Sequence, residues 1–195
     1  YWDPVYKAKY RDFVADLAAR FDGNPALEYI QLGVGKYGET QPCDTADKNA
    51  VIAAIKADGL NEWDTWWQTV NEIVDMYGDS FSQTRILLLS APNLRGRSER
   101  KLWHEHAVQR GDIGLMPAGI YADLDDLDRR TATSADCPYC GKYDYILDQV
   151  DADGTGFPVS FEIYDYMVGG WEAGQREPRP ELFFWAVAGA LSRRV

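Results

Sequence analysis

Apolar residues along the chain fall into two kinds of spacing. Some recur every three or four residues and others form short unbroken runs, the pattern of helices alternating with buried strands. Val5, Tyr10, Phe13, Val14, Leu17 and Phe21 lie at helical spacing behind Asp3 and Pro4, with Gly23 and Pro25 as a stop. Asp can accept from free amides at a helix start and Pro loses no bond there, so a first helix with one buried stripe is predicted. Residues 27–34 (Leu-Glu-Tyr-Ile-Gln-Leu-Gly-Val) form a strand-length run that ends in Gly35-Lys36-Tyr37-Gly38-Glu39. Asn61 is the expected cap of a second helix, in which Trp63, Trp66, Trp67, Val70, Ile73, Val74 and Tyr77 mark a wide apolar face closed by Gly78.

Residues 85–91 (Arg-Ile-Leu-Leu-Leu-Ser-Ala) are apolar almost throughout, as expected of a strand covered on both faces in a parallel sheet. Ser98 then caps a helix ending near Gly111, and residues 113–121 carry a strand interrupted by Pro117. A further strand is predicted over 159–164 and a last helix over 180–193. The order alternates, so the predicted class is α/β with right-handed parallel crossovers. Four strands are visible, whereas a closed (β/α)8 barrel needs eight in about 250 residues. The expectation is a partial (β/α)8 TIM barrel forming one domain over residues 1–195, its bare edges completed by strands of a parent chain or of a second chain. Residues 128–157, rich in Asp, Thr, Ser, Gly and Cys, read as a polar insertion on a strand-to-helix loop.

Composition narrows the partners. With 31 acidic and 20 basic residues the net charge is -11, which repels phosphate backbones and anionic lipid, so nucleic acid is not an expected partner. No apolar run approaches the roughly 18 residues that a membrane span requires. The first residue is Tyr1, without Met or a charged-then-apolar leader, so the chain reads as a processed product or an excerpt. Its compartment stays open, a secreted or extracytoplasmic one included.

The candidate chemistry rests on carboxylates at strand ends. Cleavage of a glycosidic bond needs one carboxyl group to protonate the leaving oxygen and a second to act as nucleophile or base. Glu39 follows the first strand, and Glu162 lies near the end of the last one between Phe161 and Ile163, where a carboxylate must find a partner or a task. An ordinary loop carboxylate is the competing reading of Glu39. The first helix followed by Leu-Glu-Tyr-Ile-Gln-Leu-Gly-Val-Gly-Lys-Tyr-Gly-Glu resembles the third helix and fourth strand of clan A glycoside hydrolases, particularly the β-galactosidase-like ones. That resemblance implies a barrel covering about strands four to seven, with Glu39 as acid/base and Glu162 as nucleophile of a retaining mechanism that needs no cofactor. Many members of the clan carry Asn immediately before the acid/base residue, whereas Gly38 stands here.

Tyr121 and Asp123, after the sixth strand of that count, would reach the same face, the tyrosine to hold the nucleophile and the carboxylate to hold a sugar hydroxyl. Loop packing is their alternative reading. Trp171 offers a platform for a sugar ring and Tyr37 a side wall, with rim packing as the competing reading. The implied partner is a carbohydrate substrate. Two rival functions remain. A barrel of the same ancestry that binds carbohydrate without cleaving it is suggested by Gly38, and a redox or zinc-stabilised interaction module is suggested by Cys137-Pro-Tyr-Cys140. Those two cysteines are half of a tetrahedral zinc shell, which Cys43 would have to join from another loop. His104 and His106 are two apart on a helix and cannot share a metal, so packing roles are expected for both.

Overall fold

The computed structural model describes residues 1–91, 94 and 97–117. The chain divides into two compact units, Tyr1–Leu115 and Met116–Val195, and nearly all described residues belong to the first. The expected strand over 159–164, the helix over 180–193 and the insertion over 128–157 lie outside the described residues.

The first unit is a parallel sheet with helices packed against it. Helix α1 (Pro4–Phe21) begins where Asp3 accepts a hydrogen bond from the Tyr6 amide at 2.8 Å, with Pro4 in the first turn. Its buried stripe is narrower than the apolar pattern suggests. Val14 and Ala18 are buried, whereas Val5 and Phe13 are 69% and 53% exposed. The spacing identified the face, but α1 seats only its small and central residues against the core. Tyr10 adds a 3.1 Å hydroxyl contact with Tyr77, and Lys7 bonds Glu72 at 2.6 Å.

Strands β1 (Tyr29–Leu32), β2 (Arg85–Ser90) and β3 (Ile113–Pro117) lie in that order, so each crossover adds a strand on the same side. Tyr29 pairs with Arg85 and Leu32 with Leu88 in parallel register. Residues 86–90 of β2 are buried without a break, the mark of a strand covered on both faces. β1 retains only four paired residues of the eight-residue run, because the chain turns away at Gly33.

One helix was not anticipated. Helix α2 (Lys48–Ala57) buries Ile55 and half-buries Val51 and Ile52, an apolar set too small to stand out beside its neighbours. The helix expected from Asn61 starts later, as α3 (Thr65–Ser80), because Asn61 is used up in the preceding turn. Its side chain accepts from the Trp63 amide at 2.8 Å and its carbonyl from the Thr65 amide at 3.0 Å, which leaves Trp63 outside the helix and 51% exposed. Trp66, Val70, Ile73, Val74 and Tyr77 of the expected face are seated in the core, while Trp67 is half-buried and donates to Asp64 at 3.1 Å. α3 also runs through Gly78 instead of stopping there. Helix α4 (Arg97–Arg110) places Ser98 inside its first turn and not at the cap.

Two polar clamps close the N-terminal end of the sheet. Asp22, after α1, accepts from the Ser82, Gln83 and Thr84 amides at 2.9, 3.0 and 2.7 Å and from the Ser82 hydroxyl at 3.0 Å. Burial opposes its charge, but the amides of Ser82, Thr84 and Gln83 outweigh it and hold the carboxyl far below the usual range. Arg110, at the end of α4, forks onto Asp112 at 3.0 and 2.9 Å and reaches Asp75 at 2.9 Å and Asp79 at 3.2 Å on α3. Asp75 also meets His106 Nε2 at 2.7 Å.

Candidate functional site

Parallel α/β sheets present their loops for chemistry at the carboxyl ends of the strands. Here the chain leaves β1 at Gly33, makes a tight excursion, and returns at Thr40 to bond β2 again. The excursion is closed from within. The Val34 and Gly35 amides donate to the Glu39 carbonyl at 3.2 and 2.7 Å, and the Lys36 amide donates to the Gln41 carbonyl at 2.7 Å. Backbone approaches so closely that a Cβ at Gly33 would fall 1.7 Å from the Gly38 carbonyl oxygen, and one at Gly35 would fall 2.0 Å from that of Gln41. Only glycine fits at either position.

Thr40 is the fastening point, and it is fully buried. Its amide donates to the Leu89 carbonyl at 3.0 Å, its hydroxyl accepts from the Ala91 amide at 2.7 Å, and its carbonyl accepts from Trp66 Nε1 at 2.8 Å. The expected acid/base candidate, Glu39, is therefore fixed one residue from the carboxyl end of β2. Its side chain is half-buried and accepts from Gln41 Nε2 at 2.6 Å. Residues two apart on extended backbone share a side, which is how Gln41 comes to face Glu39.

Tyr37 stands at the tip of the excursion, 68% exposed, with φ at 61°. Its hydroxyl donates to Asp44 at 3.2 Å, and Lys36, which pairs with the same Asp44, lies 4.8 Å from the ring centroid. The neighbouring Asp44 carboxylate holds the Lys36 ammonium above its ordinary value, and Lys36 holds Asp44 below its own. Cys43 is buried, and burial, assisted by Asp47 and Asp44, pushes its thiol up and away from the reactive thiolate.

A second polar group lies at the end of β2. Ser90, the last residue of the strand, accepts from Trp103 Nε1 at 2.9 Å and meets His104 Nε2 at 2.8 Å. Burial, with Arg100 nearby, pushes the His104 pKa well below its ordinary value, so the imidazole is neutral. We assign the serine proton to the bond with Nε2 and the imidazole proton to Nδ1. Glu99 and Arg100, in the first turn of α4, are also buried, and Arg100 is near enough to act on the imidazole. The two histidines thus have the separate packing roles expected of them, His104 against β2 and His106 against α3.

Of the expected site residues, the structure places Glu39 and Tyr37 in one loop at the carboxyl end of the sheet. Glu162, Tyr121, Asp123 and Trp171 lie outside the described residues, as do Cys137 and Cys140. Among the described residues no group of three or more His, Cys, Asp or Glu could hold a metal ion, and no helix is long and apolar enough to cross a membrane. Sequence reasoning passed over Thr40, Gln41 and Ser90. Thr and Gln after a Gly-rich turn, and Ser at the end of an apolar run, carry no signal until the pairing partner is known. The chain matches no protein-family model, no curated protein and no solved structure.

Proposed function

We propose that the chain carries part of a (β/α)8 barrel acting as a retaining glycoside hydrolase, with Glu39 as acid/base and Glu162 as nucleophile. The observation that carries this reading is the placement of Glu39. A half-buried carboxylate is fixed at the carboxyl end of a parallel sheet by a loop tied to the next strand through Thr40. That is where an alternating β/α architecture assembles its reactive groups. In the proposed reaction Glu39 protonates the leaving oxygen while Glu162 attacks the anomeric carbon. Glu39 then takes a proton from the water that releases the sugar. Tyr37 forms one wall of the sugar site, with Trp171, Tyr121 and Asp123 completing it.

The test is a panel of aryl glycosides offered to the full-length gene product, with the released phenol measured. Glu162→Gln abolishes turnover, and Glu162→Gly regains part of it in azide, yielding a glycosyl azide of inverted anomeric configuration. Ordinary turnover in Glu162→Gln would remove the nucleophile assignment. A second reading, carbohydrate binding without cleavage, draws on Gly38, which leaves the position immediately before Glu39 without a side chain to hold a sugar 2-hydroxyl. Saturable binding of an oligosaccharide without phenol release from any aryl glycoside would favour it.

A further inference from the structure

We infer that Gln41 is a positioning residue for Glu39, setting both the direction of its carboxylate and the pH at which it gives up its proton. The inference rests on the hydrolase reading for its catalytic consequence, but not for its physical content. Gln41 Nε2 donates to Glu39 Oε2 at 2.6 Å, and both side chains are half-buried. The contact is not a chance meeting of two flexible chains, because the backbone beneath it is fastened on every residue. The Glu39 carbonyl takes two amides, the Gln41 carbonyl takes the Lys36 amide, and Thr40 between them is bonded through its amide, hydroxyl and carbonyl.

A side-chain amide so held always presents a donor to the carboxylate, which favours the ionised form. An acid/base catalyst must be protonated to act first and ionised to act second, so a donor at fixed range tunes the balance between its two tasks. The same bond holds Oε2 of the carboxylate toward Gln41. This gives the excursion at residues 33–41 a purpose in the hydrolase reading: its glycines and the Thr40 fastening hold donor and carboxylate in register.

The test is a carboxyl-carbon NMR titration of the full chain labelled at glutamate, with the Glu39 resonance assigned by its loss in Glu39→Gln. Gln41→Leu removes the donor at similar size, and the Glu39 midpoint rises by about half a unit to one unit, up to tenfold in proton concentration. Gln41→Lys replaces the amide with a cation, and the midpoint falls. The lysine variant checks that position 41 lies close enough to act on the Glu39 carboxylate, and the leucine variant tests the native donor itself. Should the leucine variant fail to fold, Gln41→Met supplies the same measurement. An unchanged midpoint in the apolar variant, or a shift of the same sign in the leucine and lysine variants, would overturn the inference. If the protein cleaves glycosides, the basic limb of kcat/KM moves with the NMR midpoint in each variant. If it cleaves none, the titration still decides the role of Gln41, so the two readings fail separately.

Discussion

A methyl group at position 78 has no room while Arg110 is in place. A Cβ built on Gly78 would lie 2.2 Å from Arg110 Nη2, 2.5 Å from Cζ and 2.6 Å from Nε. Gly78→Ala therefore forces the guanidinium out of its position between Asp112, Asp75 and Asp79. The Asp112 fork, reinforced by Asp75 and Asp79, keeps the Arg110 pKa above its ordinary value against the opposing effect of burial, so a charged group is being displaced. Isolated exposed pairs are worth a few tenths of a kcal/mol each, but a forked arginine in a network of three carboxylates contributes about 1 to 2 kcal/mol. Against this, replacing glycine by alanine inside a helix gains about 1 kcal/mol. The net expectation for Gly78→Ala alone is a loss of up to about 1 kcal/mol, the displaced network outweighing the helix gain. In an Arg110→Ala background the obstruction is gone, and the same methyl group should stabilise by about 0.5 to 1 kcal/mol. The assay is urea unfolding of the four proteins of the cycle, followed by far-ultraviolet circular dichroism. The expected coupling between positions 78 and 110 is about 1 to 2 kcal/mol. Effects that add to within about 0.5 kcal/mol would refute the argument, because independent sites behave that way.

Two further predictions concern pH, and they separate in range. His104 is held neutral when folded, so the unfolded chain binds more protons below its ordinary value near 6.5; the stability it contributes is fully present above that pH and is lost as pH falls below it. His104→Gln should flatten the fall in melting temperature between about pH 6.5 and 5, and an unaltered slope there would argue that another group titrates. Asp22 has a depressed pKa when folded, so its contribution is present above about pH 4 and disappears as acid is added below that value. Asp22→Ala should cost about 1 kcal/mol at neutral pH, as loss of a side-chain cap does, and should remove part of the acid-limb slope. A variant with the same melting temperature as the parent at pH 7 and at pH 3 would contradict the role assigned to the three amides.

The sequence revealed the elements better than their ends. The run 85–91 was legible because a strand covered on both faces needs no alternation, and β2 is buried in that way. The start at Asp3 and Pro4 was legible because capping is local. Asn61 misled for the opposite reason, since its side chain and its carbonyl serve the turn before α3 instead of the helix. Gly78 misled because a glycine can end a helix or admit a neighbour, and the neighbour, Arg110, is 32 residues away. In the site, Glu39 could be singled out from its position after a strand. Thr40 and Gln41 could not, because Thr40 takes its meaning from Leu89 and Ala91, and Gln41 from a carboxylate whose position Thr40 fixes.

The excursion between Gly33 and Thr40 has a consequence for how this surface could change over time. Because the segment is knotted into itself at residues 34–41 and anchored to β2 at Thr40, the strands beneath do not depend on what is carried at its tip. Residues 36 and 37 face outward on a frame whose strand register is set elsewhere, by Tyr29–Leu32 against Arg85–Leu88. Exchange of Tyr37 for another side chain would change what the loop presents to solvent while leaving the Thr40 fastening to β2 in place. Such a loop behaves as a cassette, in which the exposed side chains can drift by single substitutions without a matching adjustment of the core.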